Sequence, residues 1–125
     1  MNQNWHIETQ AVQAGYRPGN GEPRTLPLYQ STTYKYDDAQ SVADLFDLKS
    51  EGFFYTRLAN PTVDAFEKKM AALEGGVAAV AVSAGQTASM LAILNIARAG
   101  DHIVAVASLY GGTVSLFTNT FSKLG

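Results

Sequence analysis

The chain has 125 residues, which is enough for one domain of ordinary size. Hydrophobic residues make up 46% and charged residues 16%, so the composition is globular rather than disordered. The net charge is -2 and no basic stripe appears, which argues against a nucleic-acid partner. There are no cysteines, and the two histidines are far apart, so we expect no disulfide and no metal site.

The sequence shows neither a membrane span nor a targeting segment. Its longest apolar stretch, around residues 78–82, is far too short to cross a bilayer. The N-terminus has no basic region followed by an apolar core, so no signal peptide is visible. We therefore expect a soluble, cytoplasmic protein without a membrane partner.

Residues 1–60 read as an arm with little core of its own. Gly and Pro cluster in residues 15–27, which favours an extended loop with turns. Short helices are predicted over residues 5–14 and 39–49. Asp37-Asp38 is typical of a turn or cap rather than of a catalytic carboxylate pair. We expect this half to pack on something larger.

Residues 61–125 follow the pattern of a parallel α/β sheet. A helix is predicted to begin at Asn60-Pro61, because Asn can cap and Pro suits the first helical position. That helix is predicted to end at Gly75-Gly76. Beyond it we predict strands over residues 77–82 and 102–107 and helices over residues 86–99 and 111–123. A sheet usually has about four to six strands, so we expect further strands outside this sequence.

The junction at residues 83–87 is the first candidate for chemistry. Gly85 permits close backbone approach, and the following helix would present unpaired N–H groups in its first turn. The helix dipole alone favours an anion there by about 0.3–1 kcal/mol. The alternative is an ordinary tight turn with Ser83 as the cap.

Two further features suit a ligand that is planar and anionic. In Tyr55-Thr56-Arg57, Arg is a natural bidentate partner for phosphate, although a loop with a single stray Arg is the alternative. Tyr110 with Gly111-Gly112 follows the second predicted strand, at the edge where ligands bind in open α/β sheets. An aromatic ring there could stack on a planar ligand, and a rim tyrosine at a turn is the alternative.

These features occur in order, and with their flanking residues they resemble the Cys/Met-metabolism family of pyridoxal-phosphate (PLP) enzymes. Residues 55–62 are similar to the quite specific motif Tyr-[Ser/Thr]-Arg-x-x-Asn-Pro-Thr of that family. Residues 72–76, 83–86 and 109–113 follow at the family's spacings, and residues 27–34 are similar as well. One departure is Ala84, where Ser is common, and it is conservative for a site built from backbone.

The resemblance implies a fold and a site. The fold would be α/β: an N-terminal arm and dimerisation segment, 1–60, and the first part of the large PLP-binding domain of a fold-type I, aminotransferase-like enzyme, 61–125. The backbone of Gly85 and Gln86 would hold the phosphate of pyridoxal 5'-phosphate, and Tyr110 would stack on its ring. Tyr55 and Arg57 would reach the PLP of the neighbouring subunit in a homo-oligomer, a dimer of dimers. Tyr110 and Tyr55 are also candidates for assisting the chemistry.

The resemblance also implies an activity on an amino-acid substrate. Gln86 and residues 109–117 are most similar to O-acetylhomoserine sulfhydrylases, whereas many lyases and synthases of the family have Met at the position of Gln86. In that reaction O-acetylhomoserine loses acetate, and sulfide or a thiol adds to give homocysteine or a relative. Methionine γ-lyase and cystathionine γ-synthase or lyase are alternatives within the family.

Part of the family's machinery is missing from these residues. The Schiff-base lysine, the aspartate at the pyridine nitrogen and the arginine for the substrate carboxylate lie further along in the family, and Lys123 lacks the Ser-x-Thr-Lys context. We therefore expect this chain to be inactive without the remainder of the enzyme chain, and to have no certain catalytic residue. Two alternatives of another class stay open: a phosphate-binding α/β module without catalysis, and a scaffold that dimerises through its arm.

Overall fold

The computed structural model describes residues 5–125, which form helices joined by irregular segments. The chain divides into two compact units, Met1–Val80 and Ala81–Gly125. The first contains α1 (Ile7–Gln13), α2 (Ala39–Phe46) and α3 (Pro61–Leu73). The second contains α4 (Gly85–Leu94) and α5 (Gly111–Ser115), followed by a π-helical turn (Leu116–Thr120) and a 3₁₀ turn (Phe121–Lys123). None of the helices in residues 5–125 is long and apolar enough to span a membrane.

Helix α3 begins and ends where its sequence predicts. The Asn60 side chain accepts a hydrogen bond from the Thr62 N–H, and Pro61 occupies the first helical position. Lys68 pairs with Asp64 one turn earlier at 2.6 Å, an i,i+4 ion pair that supports the helix. The helix stops before Gly75, which adopts a φ of +65°.

Helix α1 packs against α3 and is seated there by small residues. Ala14 and Ala71 are buried, each less than a tenth exposed. Gly15 follows α1 with a φ of +90° and lies against the backbone of α3. The predicted first helix is therefore confirmed, and close backbone approach rather than large side chains joins it to α3.

Helix α2 starts as predicted and ends three residues early. Asp38 caps it by accepting the Ser41 N–H at 2.7 Å and the Ser41 hydroxyl at 2.9 Å. Those hydrogen bonds from Ser41 hold the pKa of the Asp38 carboxyl below its ordinary value. The helix ends because Leu48 adopts a φ of +57°, which a right-handed helix does not allow. Its apolar face buries Leu45.

The two predicted strands are not strands in the structure. Residues 77–82 and 102–107 belong to no regular element, and the single Thr33–Tyr55 bridge is the one β pairing within residues 5–125. A strand exists only through hydrogen bonds to a neighbouring strand. Residues 102–107 form no backbone hydrogen bond with another described residue, so their apolar pattern has no partner to pair with.

Apolar surface is correspondingly exposed. The accessible surface is 10037 Å², whereas a folded monomer of 13.4 kDa exposes about 6500 Å². Val104 is 98% exposed, and no residue of α4 is buried, although its sequence predicts a helix covered on most sides. Helix α4 also ends at Leu94, short of the predicted 99, through a tight turn in which the Ile96 N–H donates to Ile93. The last predicted helix is continuous in position but changes from α to π to 3₁₀ geometry.

Candidate cofactor site

The N-terminus of α4 lacks a cap. Its N-cap residue is Ala84, which has no side chain to accept a hydrogen bond, and Ser83 does not take that role. The N–H groups of Gly85, Gln86 and Thr87 have no acceptor among the described residues, and the first bonded amide is that of Ala88. Three free N–H groups at the positive end of a ten-residue helix favour an anion electrostatically. No atom lies within 4 Å of where a Cβ of Gly85 would stand, so the space before this turn is open.

Tyr110 and Gln86 come together at Gly112 in the same unit. A Cβ on Gly112 would lie 2.5 Å from Cε1 of Tyr110 and 2.6 Å from Nε2 of Gln86. A side chain at position 112 would therefore require the ring or the amide to move away from this backbone. The Tyr110 residue is 76% exposed, so its ring is available to a ligand.

The Gln86 side chain leaves an acceptor without a donor. Its Oε1 atom is buried and has no hydrogen-bond partner among the described residues. Buried polar atoms are nearly always paired, and an unpaired one marks a place where a further group belongs. With the free N–H groups and the exposed ring, this arrangement complements a planar ligand that carries an anionic group.

Tyr55 and Arg57 form a second group in the first unit. The Arg57 guanidinium lies 5.2 Å from the centre of the Tyr55 ring, a cation–π contact. Arg57 is exposed, and it makes no ion pair or hydrogen bond with a described residue. Its charge is therefore free for an outside anion. These residues and the group around α4 belong to different units, so the structure brings the predicted site residues together as two groups.

An aromatic groove of the first unit contains none of the predicted site residues. It has a volume of about 590 Å³, and aromatic residues such as Tyr16, Tyr29 and Tyr36 line it. Burial and the nearby Glu22 raise the pKa of the Tyr16 phenol, whose hydroxyl donates to the Pro23 carbonyl. Three cationic residues, Arg17, Lys35 and Lys68, also line this groove, and the two lysines pair with Asp37 and Asp64.

Three structural features of the predicted site segments were not predicted from the sequence. Asn60 was predicted only as a cap, yet its amide also bonds three other groups. The Gly112 contact and the buried Oε1 of Gln86 depend on how two loops meet, which no local pattern encodes. The pairing of Tyr110 with Gly111-Gly112 was the one available signal.

Comparison with known proteins identifies the family of this chain. The profile of the family described as "Cys/Met metabolism PLP-dependent enzyme" matches residues 8–125. An O-acetyl-L-homoserine sulfhydrylase of Leptospira meyeri is 52% identical over 100% of this chain and 28% of its own length. One of Corynebacterium glutamicum is 49% identical over 97% of this chain and 28% of its own length. The chain thus spans about 28% of the length of these curated relatives.

A solved structure shows the same fold. The crystal structure of an O-acetylhomoserine (thiol)-lyase of Campylobacter jejuni, containing N'-pyridoxyl-lysine-5'-monophosphate, matches with a TM-score of 0.86 at 33% identity. The match covers 98% of this chain and 30% of that one. The chain therefore belongs to the Cys/Met-metabolism family of PLP-dependent enzymes and has the fold of the N-terminal part of such an enzyme.

The residues present fit a PLP molecule on physical grounds. Its phosphate is an anion with only acceptor oxygens, which complements the free N–H groups of Gly85, Gln86 and Thr87. Its pyridine ring is planar, which complements the exposed face of Tyr110. The unpaired Arg57 offers a bidentate contact to phosphate. Each of the two groups, taken by itself, thus offers chemistry that matches part of the family's cofactor.

Proposed function

We propose that this chain acts as part of a PLP-dependent O-acetylhomoserine sulfhydrylase. In this reaction the Cγ–O bond of O-acetylhomoserine breaks and acetate leaves with the bonding electrons. Sulfide then forms the Cγ–S bond, and HS⁻ plus the ester gives homocysteine and acetate without a redox change. The observation that carries the proposal is the 52% identity over the whole chain to a relative of that name. The glutamine at position 86 supports the proposal, because the sequence analysis relates it to the O-acetylhomoserine sulfhydrylases of the family.

Within this activity, the residues of this chain would bind the PLP cofactor and orient it. PLP supplies an electron sink when it is bound. The N–H groups of Gly85 and Gln86 would hold its phosphate, and Tyr110 would stack on its ring. Hydrogen bonds to a charged group contribute about 1.5–3 kcal/mol each, so these contacts are strong enough to fix the cofactor's position. Tyr110 and Tyr55 stay candidates for assisting proton movements.

Tyr55 and Arg57 are proposed to serve a PLP held by a neighbouring subunit of a homo-oligomer. The free charge of Arg57 supports this role, because none of the ion pairs among residues 5–80 involves it. The lysine that anchors the cofactor would come from residues outside this chain. A cytoplasmic setting and a dimer of dimers also belong to this proposal.

The activity is tested on a protein that contains this chain and spans the full length of the relatives. The purified protein, loaded with PLP, is given O-acetylhomoserine and sulfide, and homocysteine and acetate are measured. We expect both products in equal amounts. Formation of 2-oxobutyrate and ammonia from methionine would instead identify a γ-lyase, and cystathionine formed with cysteine would identify a cystathionine synthase. No turnover of any of these substrates by the PLP-loaded protein would contradict the enzyme proposal and favour a binding module.

The phosphate role of Arg57 is tested separately by cofactor affinity. In the same protein, Arg57→Ala should weaken PLP binding by at least about tenfold, the loss expected for a charged hydrogen bond. Arg24→Ala is a matched control, because Arg24 is also exposed and makes no ion pair with a described residue. Equal PLP affinities for the two variants would exclude Arg57 from the cofactor site.

A further inference from the structure

The Asn60 amide is the centre of a hydrogen-bond network that joins distant parts of the first unit. Asn60 is only 4% exposed. Its Nδ2 donates to the Tyr29 carbonyl at 2.9 Å, to the Tyr34 hydroxyl at 3.1 Å and to Thr56 Oγ1 at 3.0 Å. Three acceptors thus surround a group with two N–H donors. A buried site so rich in acceptors requires a donor at this position.

Thr56 is held through both its backbone and its side chain. Its N–H donates to the Thr32 carbonyl at 2.9 Å, and its hydroxyl donates to the Ser31 carbonyl. The same hydroxyl oxygen accepts from Asn60. Tyr55, the preceding residue, forms the antiparallel bridge with Thr33. The residue before Arg57 is therefore held by both its backbone N–H and its side-chain hydroxyl.

The Arg57 guanidinium makes no ion pair or hydrogen bond with a described residue that would fix its position. Its described contact is with the Tyr55 ring, and that ring belongs to the same segment. The position from which Arg57 offers its guanidinium consequently depends on the backbone of Thr56. Phosphate binding by Arg requires the planar fork to meet the oxygens at a defined geometry, so a displaced backbone weakens it.

We propose that Thr56 and Asn60 are positioning residues, which set where Arg57 presents its guanidinium to a phosphate. The inference rests on the phosphate role proposed for Arg57. Helix capping does not account for the network, because capping uses only the side-chain oxygen Oδ1 of Asn60, which accepts the Thr62 N–H at 2.9 Å. The three bonds from the amide nitrogen point away from the helix backbone, to the segment of residues 29–34 and to Thr56.

A double-mutant cycle in the complete PLP-binding protein tests the proposal. Thr56→Val removes the hydroxyl at nearly constant volume, and PLP affinity is measured for Thr56→Val, Arg57→Ala and the double variant. We expect each single change to weaken binding by about tenfold. In the Thr56→Val background, Arg57→Ala should then weaken PLP binding by less than about threefold, because a misplaced guanidinium already contributes little to binding. Thr56→Ser keeps the hydroxyl and should restore both the affinity and the full effect of Arg57→Ala.

The outcomes separate this inference from the proposed function. If Arg57→Ala alone leaves PLP affinity unchanged, the proposed phosphate role fails, and the inference fails with it. If Arg57→Ala weakens binding equally with and without the Thr56→Val change, the phosphate role stands and the positioning role is overturned. Should Thr56→Val not fold, as judged by circular dichroism, Tyr34→Phe replaces it, because this change removes only one acceptor of the Asn60 amide. A smaller but non-additive loss with Arg57→Ala is then expected, and strict additivity would overturn the proposal.

Discussion

Gly15 lies so close to Ala65 that a side chain at position 15 would collide with the Ala65 carbonyl oxygen. The same Cβ would stand 3.0 Å from Cβ of Lys69, on the next turn of α3. Gly15 also has a φ of +90°, a conformation that other residues rarely adopt. One residue thus combines the turn that ends α1 with the contact that seats it on α3.

Gly15→Ala should destabilise the protein more than Gly21→Ala does. Both positions have positive φ, which costs a non-glycine residue about 1–2 kcal/mol. No atom lies within 4 Å of a Cβ at Gly21, whereas Gly15 faces backbone, and overpacking there adds about 1–3 kcal/mol. Urea unfolding of the two variants measures the difference. Similar midpoints would show that α1 shifts away from α3 without cost.

Gly112→Ala should disturb the cofactor site, while Gly111→Ala should not. A methyl group at position 112 would push against the Tyr110 ring and the Gln86 amide, and nothing lies within 4 Å of the corresponding position at Gly111. We expect Gly112→Ala to weaken PLP binding by roughly tenfold and to shift the absorbance of the bound cofactor, because stacking and orientation change together. An unchanged spectrum would mean that Tyr110 does not cover the ring.

The cap of α2 should make stability sensitive to acid. The pKa of Asp38 is lowered, chiefly by the Ser41 backbone N–H and then by the Ser41 hydroxyl. A lowered pKa in the folded state contributes stability above the unfolded value of about 3.9, and that contribution is lost as pH falls through the folded value. Asp38→Asn still caps but does not titrate. The advantage of Asp over Asn should therefore shrink as pH falls below about 4, as followed by unfolding at several pH values.

Ser41→Ala provides the matched control for that pH dependence. It removes the hydroxyl donor at 2.9 Å and leaves the backbone donor at 2.7 Å in place. The Asp38 pKa, measured by NMR titration of its carboxyl carbon, should rise part of the way toward the ordinary value. A Ser41→Ala variant with the unaltered titration would show that the side-chain bond does not persist in solution.

The uncapped turn of α4 predicts a specific response to cofactor. The amides of Gly85, Gln86 and Thr87 have no acceptor among the described residues and should exchange rapidly with solvent without PLP. Binding of a phosphate should slow their exchange by at least about tenfold, since each gains a charged hydrogen bond. The Asn95 amide, which donates to Leu91 within the last turn, is the internal control. Slowing at Asn95 alone would place the ligand elsewhere.

Local chemistry explains which elements could be predicted. Asn60-Pro61 and Gly75 fixed both ends of α3, and Asp38 fixed the start of α2, because caps and turns depend on a few neighbouring residues. The end of α2 was missed, since it depends on a left-handed Leu48, which no propensity predicts.

The strands and the site required information beyond local sequence. The apolar run at residues 102–107 predicts a strand, but pairing is a property of two segments, and its partner is not among the described residues. The site residues Tyr55, Arg57, Gly85, Gln86 and Tyr110 came from a motif. No motif predicts the contacts around these residues, such as the acceptors that surround the Asn60 amide and the close approach of side chains to Gly112.

The bridge between Thr33 and Tyr55 has a consequence for the chain between them. Residues 35–54 form a loop whose two ends meet at this bridge. The loop contains α2 and the turn that follows it, but it makes none of the hydrogen bonds that hold Thr56. Closing a flexible loop costs only about 0.6 kcal/mol more for each doubling of its length. Members of the family should therefore tolerate insertions and deletions in this loop. Between Thr56 and Asn60, by contrast, we expect no insertion or deletion.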